Sequence, residues 1–132
     1  MPEPLPLRLF LDSGVIIQGC FQPWGASKAV LVLVTLRTRY TIVLAEAVEQ
    51  EVQRAVAREA ARHDPLEAEK IARDVAGWFG RVRFERHPQP ASDEILRYRS
   101  LILPAIRHVN DMSPVVTAIQ TRPDWVLSTN TA

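Results

Sequence analysis

Residues 7–14, Leu7-Arg8-Leu9-Phe10-Leu11-Asp12-Ser13-Gly14, constrain the fold more than any other stretch of the chain. Leu7, Leu9, Phe10 and Leu11 make a nearly continuous apolar run, which suits a strand buried on both faces of a parallel sheet. The run ends on a carboxylate and a Ser-Gly turn. Asp12 therefore stands at the carboxyl end of a buried strand, the edge at which open α/β sheets bind ligands. A carboxylate held there is costly unless something pairs with it, and a metal ion is one candidate partner.

The 132 residues are read as one domain with room for a real core. No apolar run approaches the roughly 18 residues of a membrane span. The opening Met1-Pro2-Glu3-Pro4-Leu5-Pro6 has no basic region before an apolar one. It is expected to be an extended tail over residues 1–6 rather than a signal peptide, with a cytoplasmic location as the default. Cys20 is the only cysteine, which excludes an internal disulfide; it reads as a small core residue rather than a catalytic thiol. The net charge of +1 says little about partners. Lys28 and Lys70 are the only lysines among 16 basic residues. The arginine bias suits phosphate recognition, but a GC-rich genome is the plainer account of it.

After the first strand, Val15-Ile16-Ile17 begins a short helix, and Gln22-Pro23-Trp24-Gly25 is a break. Residues 27–39 fit a buried helix better than a strand by length. Residues 40–44 read as strand two. A helix follows from Glu46, its apolar stripe carried by Val48, Val52, Ala55 and Val56, and it stops at His63-Asp64-Pro65. Asp64, Pro65 and Glu67 form a strong start for the next helix, which Gly80 is expected to end. Residues 81–85 alternate as a half-exposed strand. A helix from Ser92 should end or kink at Pro104. Residues 115–121 form the last helix and residues 125–128 the last strand. Strands alternating with helices predict a mostly parallel sheet of about four strands with helices on both faces.

Three acids fall at comparable places in this scheme. Asp12 follows a strand, Glu51 lies in the helix after strand two, and Asp111 begins the helix before the final strand. In a three-layer α/β fold these places converge at one edge of the sheet. Clustered carboxylates repel, and a hard divalent cation such as Mg²⁺ relieves that repulsion. An ion held this way activates water and stabilises a phosphoryl transition state. Spacing alone is weak support, because the chain has 15 acids and most are solvated surface.

The ordered pattern resembles a PIN domain, the fold of many toxin ribonucleases in bacterial toxin–antitoxin pairs. Phe10-Leu11-Asp12-Ser13 resembles the family's strand ending in Asp followed by Thr or Ser. Ile42-Val43-Leu44-Ala45 followed by Glu51 resembles its second strand and second acid. His108-Val109-Asn110-Asp111 with the helix over 115–121 resembles its third-acid segment, and residues 123–130 resemble its closing strand and polar turn.

The resemblance implies a three-layer PIN-like fold and Mg²⁺- or Mn²⁺-dependent cleavage of single-stranded RNA. Asp12, Glu51 and Asp111 would be the catalytic metal ligands, and an activated water would attack a phosphodiester. Ser13 would hold Asp12 or a substrate phosphate, with Ser128, Thr129 and Asn130 orienting carboxylates or water. The resemblance also implies an antitoxin protein that blocks the acidic cleft, and a homodimer. Two departures matter. Asn130 stands where many members carry a further acid, which weakens a second metal site. Gly14 stands where Asn is common, so one positioning hydrogen bond is missing. The family usually continues through another helix or strand, so the sequence is expected to be a trimmed or shortened member.

Several residues have plainer readings. Glu46 and Glu49 compete with Glu51 but suit a helix start, where negative charge is favoured. His63, His87 and His108 read as surface or loop histidines, with His108 a possible donor near Asp111. Arg97 and Arg99 flank Tyr98 as RNA contacts or as a solvated face. Trp24, Trp78 and Trp125 read as core or interface. A non-catalytic PIN-like module that binds RNA or protein is the main alternative, favoured by Asn130. A phosphoaspartyl enzyme of the dehalogenase-like type would need a second Asp where Gly14 stands.

Overall fold

The opening apolar run is a strand, as its composition demands. The structure, a computed structural model, describes residues 4–106 and 111–129. Its strands are β1 (Leu7–Leu11), β2 (Tyr40–Ala45), β3 (Phe84–His87) and β4 (Trp125–Leu127). Its helices are α1 (Ser13–Phe21), α2 (Ala26–Leu33), α3 (Glu46–Ala60), α4 (Pro65–Arg81), α5 (Ser92–Ile102) and α6 (Met112–Thr121). The strands form one sheet in the order β3-β2-β1-β4, and every pairing is parallel. The expected α/β architecture, a parallel sheet flanked by helices, is the one observed.

Register and pleat sort the side chains onto two faces. Leu9, Ile42 and Phe84 align across the sheet on one face. Phe84 meets the edges and faces of Trp78 and Phe79, which places α4 over that face. Phe10, Val43 and Glu85 align on the other. Arg8, on the Phe10 face, reaches the end of α6. The core is the inner strand residues Leu9, Phe10, Leu11, Ile42, Val43 and Leu44 with Val48, Val52 and Trp78 from the helices.

Three element boundaries differ from expectation, at the ends of α2 and α4 and the start of β3, each for a local reason. The helix after Gly25 ends at Leu33 instead of Arg39. Thr35 and Leu36 donate backbone bonds three residues back, to Val32 and Leu33, tightening the chain into turns. Val34 is the last buried residue of the stripe; Leu33 and Leu36 are half exposed and residues 36–39 bury nothing that would extend it. Helix α4 runs through Gly80, whose φ is not positive, to Arg81. Val82 is buried instead of beginning an alternating strand, and β3 starts at Phe84. Helix α5 stops at Ile102, as Pro104 leads one to expect, and Pro104 sits in a 3-10 turn over Leu103–Ala105. Helix α6 starts at Met112, just after Asp111 as expected, with Met112 and Val116 both buried against Ile102.

Arg8 is the one charge inside β1, and the fold provides for it fully. Its guanidinium makes a two-pronged bond to Glu85, Nε to Oε2 at 2.8 Å and Nη2 to Oε1 at 2.7 Å. Nη1 donates to the carbonyl of Thr121 at 2.9 Å and of Arg122 at 3.2 Å. His87 joins Glu85 at 2.8 Å, and the backbone of Arg8 exchanges bonds with Asp124. This cluster ties β1, β3 and the α6–β4 turn together across one face of the sheet.

The hydrogen bonds from Arg8 hold the Glu85 carboxyl down at about 2, against an ordinary value of 4.5. A depressed folded-state value stabilises the ionised protein. That stability is whole above about 4.5 and drains away as pH falls toward 2. The pair is about one-third exposed, so solvent screens it, and about 1 kcal/mol is expected. Arg8→Met should therefore flatten the melting temperature between pH 2 and 5 relative to the parent. Parallel curves would show that the pair contributes nothing.

Candidate functional site

Asp12 follows directly on β1 and is the N-cap of α1. Its Oδ1 accepts the Val15 N–H at 3.1 Å, satisfying an amide the helix start leaves open. Its Oδ2 accepts the Ser128 hydroxyl. The Asp12 N–H donates to the Leu127 carbonyl at 3.1 Å, carrying the β1–β4 pairing past the end of both strands. The carboxylate is thus fixed by its own helix and by the turn after β4.

The topology makes this a meaningful place. From β1 the chain moves to β2 and then β3, on one side; it then returns to lay β4 on the other side of β1. The growth of the sheet reverses between β1 and β4. The crevice outside the carboxyl ends of such a pair is where open α/β sheets take ligands. Asp12 and Ser128 meet in it.

Gly14, the second residue of α1, closes against the same turn. A Cβ there would collide with the Thr129 Oγ1 and come 3.2 Å from the Asp12 Oδ1. Ser13 opens α1 between them. The structure therefore brings Asp12, Ser13, Gly14, Ser128 and Thr129 together. Asn130 and His108 lie outside the described residues.

Helix α3 starts at the carboxyl end of β2, and its three glutamates separate by their partners. Glu46 accepts the Gln89 N–H at 2.7 Å. Glu49 pairs with Arg86 of β3 at 3.3 Å. Glu51 lies about 200° around the helix from Glu49, on the opposite flank. Since Glu49 points to β3, the Glu51 flank is the one toward β1 and α1, and α1 packs against α3. Glu51 is exposed and has no partner among the described residues.

Asp111 reaches the same edge from the other face. Arg8, near the start of β1, holds the last carbonyls of α6, so the C-terminus of α6 lies at the amino edge. Ten residues of helix span about 15 Å, which carries Asp111 to the carboxyl edge. Its side chain caps nothing. Within the first turn of α6 the Ser113 Oγ is buried without a hydrogen-bond partner among the described residues.

Chemically the acids suit Mg²⁺ or Mn²⁺, which take hard oxygen donors and retain water. Their elements converge on one edge, none of the three is engaged by a basic side chain among the described residues, and an orphan hydroxyl lies two residues along the chain from Asp111. In position they are not a closed ligand set. Among the described residues, no three His, Cys, Asp or Glu side chains stand where they could hold an ion together.

The remaining candidates resolve simply. His63 bonds Glu59 and His87 bonds Glu85. Tyr98 packs into the α5–α6 cluster, while Arg97 and Arg99 are exposed. Trp78 is core, whereas Trp24 and Trp125 are largely exposed. Burial pushes the Cys20 thiol up to about 11, which leaves it a protonated, poor nucleophile. A groove of about 730 Å³ between α1, α2 and α4 is lined by Cys20, Lys28, Leu31 and Trp78 and includes none of the three acids. Among the described residues, no helix is long and apolar enough to cross a membrane.

Sequence reading missed the Arg8–Glu85–His87–Asp124 cluster. Its signal was present: an arginine inside an otherwise apolar strand needs a buried partner, and Glu85 and His87 sit on one side of an alternating strand.

No family model and no curated protein matches the sequence. Among solved structures, the chain is similar to one in the crystal structure of VapBC2 from Rickettsia felis bound to a DNA fragment from their promoter. The TM-score is 0.68 over 94% of this chain and 89% of that chain, at 16% identity. A likeness at that identity concerns the fold. The fold is PIN-like, as the sequence resemblance implies.

Proposed function

We propose that the protein is a divalent-cation-dependent endoribonuclease that cuts single-stranded RNA, the toxin of a toxin–antitoxin pair. The observation that carries this reading is Asp12 at the β1–β4 switch point, with both carboxylate oxygens oriented by the protein. The likeness in fold to a chain of VapBC2 supports it.

Asp12, Glu51 and Asp111 would hold Mg²⁺ or Mn²⁺. A bound cation of this kind would supply charge against the phosphoryl oxygens and ease the loss of a proton from the attacking water. The rest is work for the chain itself. The start of α1 places the positive end of a helix dipole beside the site, which favours an anionic backbone. Ser128 and the Val15 amide keep the Asp12 carboxylate from turning. Glu51 and Asp111 bring charge from opposite layers, so a phosphodiester would lie across the edge rather than in a deep cavity. An antitoxin protein is the partner that would cover these acids, and the toxin is proposed to act as a homodimer.

The second reading, a PIN-like module that binds RNA or protein without cutting, is favoured by the absence of an assembled ligand set among the described residues. Calorimetric titration with Mn²⁺ separates the two. The nuclease should release binding heat that disappears in Asp12→Asn, and should cut single-stranded RNA only until EDTA is added. No Mn²⁺ heat together with RNA bound intact would establish the module.

A further inference from the structure

Residue 14 is expected to supply a side chain to this edge, and here it has none. The space is not empty. The Thr129 Oγ1 stands so close that any Cβ at position 14 would overlap it, and the Asp12 Oδ1 lies beside the same point. The Thr129 Cβ would lie 3.5 Å from that Cβ, an ordinary contact, so on the Thr129 side the conflict is with the hydroxyl; the Asp12 Oδ1 at 3.2 Å would have to yield only by a few tenths of an ångström. That hydroxyl has no hydrogen-bond partner among the described residues, whereas its neighbour Ser128 is engaged with Asp12. Position 14 also has no backbone need for glycine. It lies inside α1, and Gly25 is the described glycine with positive φ.

We infer that glycine is kept at position 14 to admit the Thr129 hydroxyl, which stands in for the missing residue-14 side chain as the donor that positions an RNA phosphate beside Asp12. Helix geometry does not ask for Gly14, and an alanine there would favour the helix. The steric demand comes from a residue 115 positions away, at the end of the last strand. Ser128 and Thr129 then divide the work. Ser128 fixes the carboxylate, and Thr129 presents a free O–H to the substrate from the same turn. The inference rests on the ribonuclease reading of Asp12 for the role of the hydroxyl, but its steric half stands without it.

Two sets of variants test it. Thr129→Val keeps the shape and loses the donor, while Thr129→Ser keeps the donor. Misplacing a reacting group by about 1 Å is worth roughly 100-fold, so Val should slow RNA cleavage by about 10- to 100-fold with Ser close to the parent. Neither should move the melting temperature by more than about 2 °C, because no buried group is removed. In the second set, Gly14→Ala should lower the melting temperature by several degrees, and Gly14→Ala with Thr129→Ala should recover most of that loss. Cleavage by Thr129→Val at the parental rate would overturn the positioning role. A double variant no more stable than Gly14→Ala would overturn the steric one. If the parent itself cuts no RNA, the ribonuclease reading and the positioning role fall together, and the melting temperatures still decide why glycine is kept.

Discussion

Asp12→Asn is expected to remove RNA cleavage, by a factor of about 100 to 1,000 or more, while the protein remains folded. The asymmetry follows from the two jobs Asp12 does. As N-cap of α1 it offers an oxygen to the Val15 amide, and asparagine does this about equally well. The amide nitrogen then takes the place of Oδ2, and it can donate to the Ser128 Oγ once that hydroxyl turns its own hydrogen away. What it cannot offer is charge. A neutral group at the switch point neither attracts a divalent cation nor balances charge in a phosphodiester transition state. Circular dichroism and the melting temperature should match the parent, while cleavage of a labelled single-stranded RNA in Mg²⁺ or Mn²⁺ disappears. An Asp12→Asn protein that cuts at the parental rate would move the chemistry away from this edge altogether.

The largest effect on stability is expected at Trp78. Its ring is 6% exposed and meets Phe79 edge-on at 5.0 Å and Phe84 at 5.7 Å. Its Nε1–H donates to the Leu31 carbonyl at 2.9 Å, across 47 residues. Trp78→Ala removes the knot joining α2, α4 and β3, at a cost of about 3–5 kcal/mol. The total stability of a domain this size is about 5–15 kcal/mol. The melting temperature should fall by roughly 10–15 °C. Trp78→Phe keeps the aromatic packing and strands the Leu31 carbonyl, and should cost about 1–3 kcal/mol. A scanning calorimeter reads both. If the two variants melt together, the hydrogen bond rather than the packing matters most.

The sequence showed the strands well and the helix ends poorly. β1 and β2 are legible because inner parallel strands must be apolar on both faces, and Leu9 to Leu11 and Ile42 to Leu44 are. The start of α4 is legible because Asp64 and Pro65 act locally, and the Asp64 cap bond to the Glu67 N–H is present at 2.9 Å. The end of the same helix is not. Gly80 stops a helix only if it turns left-handed, and the packing of Val82 and Phe84 did not require that. At α6 the left-handed position falls instead on Arg122, with φ of 49°, where neither glycine nor asparagine marks it. For the site, Asp12 was readable from its place after a buried strand. The preference for Glu51 rested on resemblance, and the structure adds a physical reason by giving Glu46 and Glu49 other partners. The closeness of Thr129 to Gly14 is tertiary and has no local signature.

Asp12 and the hydroxyl that steadies it are separated by 116 residues. A ribosome emits the aspartate early and the serine late, so during translation the growing polypeptide lacks one wall of its own crevice. The crevice is completed only after the last strand clears the exit tunnel and docks beside the first.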